Sequence, residues 1–358
     1  MANTPDLHPS HEPPGRTGVP PASREPKTGT RRRDASVPRN CAPVHGFKAR
    51  IRLGNSRPVL IAGPTAVGKS EIALRLAGQL GGEIISADSM QVYRGLDLGT
   101  AKPSPADRAR VPQHLSDICD LTESFDAAQF ARLAHRAVAE IQSRGRVPIF
   151  CGGTGLYFRA FLEGLGEAPP ADAKLRAELE AAPLEKLLVE LRERDPAAYG
   201  KIDKKNPRRV IRAVEVIRLT GQPVSAQRAE WNTQHATRNT QHFYCFSRSP
   251  ADLHVRINAR VDAMFARGLV DETRELLKHG LAENKTAMQA IGYRQVVEHL
   301  RGERSLTETI ELVKIRSRQF AKRQLTWFRA QPGTQWIELK PDDPPEKWLP
   351  EISRAIRK

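Results

Sequence analysis

The sequence predicts an α/β protein: a P-loop NTPase-like core with a parallel sheet flanked by helices, interrupted by an inserted all-helical domain. Three observations carry this expectation. An apolar run, Val59–Ala62, leads directly into Gly63-Pro-Thr-Ala-Val-Gly68-Lys69-Ser70 and then an amphipathic stretch ending at Leu80. Strand–loop–helix units then recur, three of them within about 100 residues, which is how parallel sheets are built. From about residue 172 to 235 the strand signal disappears and the apolar spacing becomes purely helical.

The first unit carries the most chemistry. Val59–Ala62 reads as a buried strand, and Ile72, Leu76 and Leu80 fall at i, i+4 and i+8 on the following helix. A glycine-rich loop between strand and helix turns its backbone N–H groups around phosphate oxygens, where the helix dipole also favours negative charge. Gly63, Pro64, Thr65, Ala66, Val67, Gly68, Lys69 and Ser70 are therefore expected to hold a di- or triphosphate. Lys69 adds a point charge, and the Ser70 hydroxyl is the expected Mg²⁺ ligand.

The second unit is Glu83–Ala87, a short apolar strand that ends at Asp88-Ser89. Ligands of doubly wound sheets bind at the C-terminal strand edge, so Asp88 is expected at the site. From its position alone it is either a general base or a second Mg²⁺ ligand. An amphipathic helix over 125–144 (Phe130, Leu133, Ala137, Val138, Ile141) precedes a third strand, Arg146–Cys151. That strand opens into Gly152-Gly-Thr154-Gly155, which places Thr154 at the same edge.

Helices are predicted over 172–182 and 184–194, followed by one with Asn206 as N-cap, Pro207 at N1 and Gly221 past its end. Val210, Val214 and Ile217 face inward there, with Arg208 and Arg212 on an outer stripe. Residues 241–247 read as a strand rejoining the sheet. The C-terminal third reads as helices around 253–265, 270–279, 290–295 and 306–329, with a last strand at 336–339. The basics between Lys314 and Arg329 either face RNA or brace the core, and Trp327 and Phe328 are expected in the core.

The net charge of +16 is uneven: residues 1–57 hold 11 Lys+Arg against 4 Asp+Glu, and the remainder 46 against 37. A basic body suggests a polyanionic partner, with nucleic acid first. The stretch 1–57, rich in Pro, Arg, Thr and Ser and including Arg31-Arg32-Arg33, is expected to be disordered. Four scattered cysteines (Cys41, Cys119, Cys151, Cys245) argue against a zinc site or a disulfide framework. No apolar run approaches the roughly 18 residues of a membrane span, and the N-terminus lacks the apolar core of a secretory signal. A soluble, cytoplasmic protein is expected.

Taken together, Gly63–Ser70, Ser86-Ala-Asp-Ser89, Gln91-Val-Tyr93, Gly99-Thr-Ala-Lys-Pro103, Gly152-Gly-Thr-Gly-Leu-Tyr157, Gly292-Tyr-Arg-Gln295 and Arg318-Gln-x-Ala-Lys-Arg-Gln-x-Thr-Trp-Phe328 resemble the tRNA dimethylallyltransferases over residues 58 to about 340. The P-loop alone is widely shared; the ordered series is specific. The resemblance implies transfer of a dimethylallyl group from its diphosphate to N6 of adenosine 37 beside a tRNA anticodon, in loops with adenosines at 36–38, by a monomer. It implies Asp88 as the base, with Thr154, Lys69 and Arg260 as catalytic partners. It implies tRNA contacts at Asp88, Ser89, Met90 and Gln91, at Arg176, at Arg208, Arg209, Val210, Ile211 and Arg212, and at Ala290, Ile291, Gly292, Tyr293, Arg294 and Gln295. Tyr293 or Arg294 is expected to stack on a flipped base. The domain boundaries follow: a tail over 1–57, a core over 58–170 and 240–345, and a tRNA-contacting insertion over 171–239. Two rival activities share the P-loop, a small-molecule kinase and a free-nucleotide prenyltransferase, and a non-catalytic RNA-binding protein is a third reading. The basic helices and the insertion argue against the first two.

Overall fold

The computed structural model describes residues 57–165, 169–229 and 242–357. The tail expected to be disordered lies, up to residue 56, outside the described residues, as does Gln241 of the expected strand over 241–247.

Six strands form one sheet: β1 (Val59–Ala62), β2 (Glu83–Ala87), β3 (Gln113–His114), β4 (Pro148–Gly152), β5 (Phe243–Ser247) and β6 (Gln335–Glu338). Their order is β3-β2-β4-β1-β5-β6, and every neighbouring pair is parallel. The helices, in chain order, are α1 (Lys69–Leu80), α2 (Pro105–Arg110), α3 (Ala127–Ser143), α4 (Gly155–Glu163), α5 (Ala173–Ala181), α6 (Leu184–Arg194), α7 (Pro196–Lys201), α8 (Pro207–Thr220), α9 (Val224–Ala229), α10 (Pro250–Ala266), α11 (Leu269–Lys278), α12 (Tyr293–Leu300), α13 (Leu306–Arg329) and α14 (Leu349–Arg357).

Both sheet faces are covered, which is why the strands read as unbroken apolar runs. On one face Val59, Ile61, Ile84 and Ile149 pack under α1 and α14 through Ile72, Leu76, Leu349 and Ile352. On the other, Leu60, Ile85, Phe150 and Phe243 meet Phe130 of α3, Tyr157 and Phe158 of α4 and Phe328 of α13. Phe130 stacks on Tyr157 with centroids 4.0 Å apart. Phe328, expected in the core, is fully buried and meets the Phe158 ring edge-on.

Helices α5, α6 and α8 enclose their own apolar cluster of Leu179, Leu187, Leu191, Val210, Val214 and Ile217. The N-cap of α8 forms as expected: Asn206 accepts from the Arg209 amide, and Gly221 closes the far end at φ 70°.

The structure departs from the sequence reading in three places. The helix expected to include Ala290–Gln295 starts only at Tyr293, because Gly292 sits at φ 102°, outside the helical region. A 3₁₀ turn, Ala287–Gln289, precedes it. The two-residue β3 and six-residue α2 are too short to show a periodicity. The core was expected to end at 345, yet α14 lies beyond it and buries Leu349, Ile352 and Ile356 against the α1 layer.

Candidate active site

Strand order creates the site. Because β4 lies between β2 and β1, the loops leaving β1, β4 and β2 stand side by side at one sheet edge. The first is the phosphate cradle. Gly63 sits at φ 149°, and a Cβ there would lie 2.7 Å from the Phe246 carbonyl oxygen. Gly68, at φ 105°, caps α1. Two arginines hold the loop: Arg256 Nε donates to Ala66 O and Arg248 Nε to Val67 O, each at 2.9 Å. Lys69 Nζ rests on Pro64 O at 3.2 Å. Burial holds the Lys69 ammonium below its ordinary range, Cys151 and Asp88 oppose that, and Arg260 adds to it. Ser70, at the start of α1, keeps an exposed side chain.

The neighbouring loops present the polar groups. Asp88 follows β2 directly, and its Oδ1 accepts from the Met90 amide at 2.9 Å. Its Oδ2 has no hydrogen-bond partner among the described residues. Thr154 follows β4, and its Oγ1 accepts from the Ser89 amide at 3.0 Å. The two loops can lie this close because residue 152 is glycine: a Cβ there would fall 2.1 Å from Ala87 O. Arg260 reaches in from α10, with Nη2 donating to Thr100 O at 3.3 Å. Its guanidinium is lowered by burial and supported by Asp88. Thr100 O also accepts from Gln91 Nε2 at 3.2 Å, and Gln91 Oε1 takes the Ser86 hydroxyl at 2.9 Å. Lys69, Arg260 and Asp88 thus act on one another in one place. Two half-buried cations against one carboxylate make a pocket suited to an anion.

A sequence model describing the IPP transferase family matches residues 91–331. The chain belongs to that family. It is 47% identical over 285 residues to the tRNA dimethylallyltransferase 1 of Trichlorobacter lovleyi, covering 78% of this chain and 93% of that protein. With the tRNA dimethylallyltransferase of Halorhodospira halophila it shares 48% over 292 residues, 80% of this chain and 94% of the other. Among solved structures, the full-length tRNA isopentenylpyrophosphate transferase of Bacillus halodurans superposes with a TM-score of 0.62 at 39% identity, covering 85% and 97% of the two chains. A eukaryotic dimethylallyltransferase described as acting on tRNA superposes at 0.70 with 26% identity, over 84% and 77%.

In this member of the IPP transferase family, the residues expected at tRNA occupy two kinds of place. Arg208 is exposed and donates to Lys285 O at 2.8 Å, which ties α8 to the segment leading into Ala290–Gln295. Arg209 and Arg294 are also exposed. Arg176 and Arg212 share the fully buried Glu215, and Arg212 also donates to Pro169 O at 2.6 Å. Val210, Ala290, Tyr293 and Gln295 are buried.

The expected stacking of Tyr293 is corrected here. Its ring lies in the core with Leu269 and Val296, and its hydroxyl donates to Glu272 while accepting from the Gly99 amide at 3.0 Å. A base cannot reach a ring that is fully enclosed. Gln295 turns back to accept from the Gly292 amide at 2.9 Å. On α13 the open question divides by residue. Lys314 pairs with Asp262 at 2.8 Å and Arg318 with Asn258 Oδ1 at 2.6 Å. Arg316, Lys322 and Arg323 are exposed, with no carboxylate partner among the described residues.

Sequence reasoning assigned no role to Arg248, Arg256 or Gln324, and it gave Gln91 a tRNA contact without its bonds to Ser86 and Thr100. For Gln324 a signal was present: it is a polar residue on the stripe of α13 that buries Val313, Ala321 and Phe328. No helix among the described residues is long and apolar enough to cross a membrane.

Proposed function

We propose that this IPP transferase family member transfers a dimethylallyl group from dimethylallyl diphosphate to N6 of adenosine 37 in tRNA. The observation that carries the site assignment is the convergence of Lys69, Arg260, Thr154 and Asp88 at one sheet edge, above a glycine cradle.

The donor diphosphate lies in the 63–70 loop. Lys69 and Arg260 face its oxygens and take up the charge that develops as the C1–O bond breaks. The exocyclic amine of adenine is a weak nucleophile, because its lone pair is delocalised into the ring. As N6 bonds to C1, the N6 proton passes to the free oxygen of Asp88, a contribution of about 10²–10⁴-fold. Thr154 holds the Ser89 amide and so orients the strand end that carries Asp88. The donor set at the start of α1 suits Mg²⁺: an exposed hydroxyl, Ser70, beside a diphosphate, with water completing the shell. The ion would add positive charge at the leaving group. The exposed Arg208, Arg209 and Arg294 form the tRNA-facing side, and Arg176 and Arg212 are oriented by Glu215. We place the enzyme in the cytoplasm as a monomer.

The test is a nucleoside mass spectrum after incubation with Mg²⁺, dimethylallyl diphosphate and an unmodified tRNA with adenosines at 36–38. One C5H8 unit gained at adenosine 37 is expected. Prenylation of AMP instead would move the protein to the free-nucleotide class, and ATP consumption would move it to the kinases. Asp88→Asn should lose turnover by at least about 100-fold while still binding tRNA; unchanged turnover would overturn the assignment of the base.

A further inference from the structure

The ladder between β1 and β4 ends at Ala62↔Gly152, and beyond it the two chains diverge into the phosphate cradle and the Thr154 loop. At that point the side chain of Gln324 enters from α13. Its Oε1 accepts from the Thr65 amide at 2.9 Å, and its Nε2 donates to Gly153 O at 2.9 Å. A carboxamide has the donor and acceptor pair of a peptide group, so it supplies one further rung where the backbones can no longer pair.

The fit is close. A Cβ on Gly153 would lie 2.2 Å from Gln324 Nε2, and one on Gly155 would lie 2.2 Å from the Trp327 ring. Gln324 is buried on a mostly apolar stripe, where an aliphatic residue would leave a backbone N–H and a C=O unpaired.

We propose that Gln324 is a positioning residue that fixes the distance between donor and acceptor halves of the active site. One hydrogen bond holds the loop that carries Lys69. The other holds the loop whose Thr154 bonds Ser89 beside Asp88. Helix α13 therefore sets where the leaving group stands relative to the base, and small misplacement of reacting groups is costly to rate. The inference rests on the roles given above to Asp88 and the 63–70 loop.

Gln324→Met keeps the volume and removes both bonds. Gln324→Glu keeps the acceptor for Thr65 but sets a carboxylate oxygen against Gly153 O. Thr326→Ala, exposed on the same helix, is the control. Gln324→Met should lower kcat by about 10- to 100-fold, with tRNA Kd within threefold of the parent. The activity of Gln324→Glu relative to the parent should rise at least about fivefold as pH falls from about 8 to about 5.5, because burial favours a protonated acid that donates to Gly153 O. Two results would overturn the proposal: kcat within threefold for Gln324→Met, or tRNA affinity falling in step with kcat. If Gln324→Met does not fold, the pH profile of Gln324→Glu decides, and a flat ratio counts against the proposal. An inactive Asp88→Asn beside an active Gln324→Met sinks the coupling alone, whereas an active Asp88→Asn sinks the site assignment beneath it.

Discussion

At the scale of single residues, the site is a balance of buried charge. Burial lowers both Lys69 and Arg260, and each is partly offset by Asp88. A diphosphate favours the protonated ammonium, so donor affinity should fall as pH rises through the depressed Lys69 value, below the usual Lys range. Steady-state KM for the donor, measured across alkaline pH, reads this limb. Arg260→Ala should weaken donor binding on the order of 10- to 100-fold, the worth of a charged hydrogen bond. It should also move the alkaline limb upward, because a neighbouring positive charge is gone. Lys69 and Asp88 were legible in the sequence, since a motif and a strand end announce them. Arg248 and Arg256 were not, and Gln324 showed only as a polar residue on a buried stripe. Each acts on a backbone atom more than a hundred residues away, and nothing local marks that partner.

At the scale of elements, loops at the sheet edge are held by residues that look like recognition groups. Tyr293 is one: its hydroxyl joins Glu272 on α11 to the Gly99 amide, and Thr100 next along carries Arg260. Tyr293→Phe keeps the aromatic ring but leaves the half-buried Gly99 amide without its acceptor and takes one donor from Glu272, which keeps the Leu98 amide, so it should cost about 1–3 kcal/mol of stability. It should also lower kcat without changing tRNA affinity, as thermal melts and binding titrations would report. The motif around Tyr293 was visible in the sequence, but its burial was not, because α11 and the Gly99 loop meet it only after folding. Glu83 does similar work at the opposite end of β2. Burial would raise its carboxyl, but hydrogen bonds from His114 and Arg144 outweigh that and bring it to about 2. The folded value lies below the unfolded one, so this stabilisation is present above about pH 4.5 and is lost as pH falls toward about 2. Glu83→Gln should flatten that part of an acid-unfolding curve and lower stability near neutrality by on the order of 2–3 kcal/mol.

At the scale of the whole molecule, the net charge of +16 suits the proposed RNA partner. Arg316, Lys322 and Arg323 lie exposed along α13 without carboxylate partners among the described residues. If they meet phosphates, changing all three to Ala reduces the salt dependence of tRNA binding by about 0.7–0.9 log unit per lost contact. Binding isotherms at several salt concentrations check it. The fold class and the β–loop–α order were legible from periodicity over strands and long helices. The short β3 and α2 gave no period to find, and α14 lay beyond the point where the family motifs stop. The sheet order has a consequence for how the chain comes to be folded at all. Leu60 of the central strand pairs on one side with Phe243, about 180 residues later, after the helical block. On a ribosome, β1 must therefore wait with an open hydrogen-bonding edge while α5 to α8 are made and close on their own cluster. A nascent chain paused within the helical block exposes an apolar half-sheet, the species most exposed to aggregation and to chaperones.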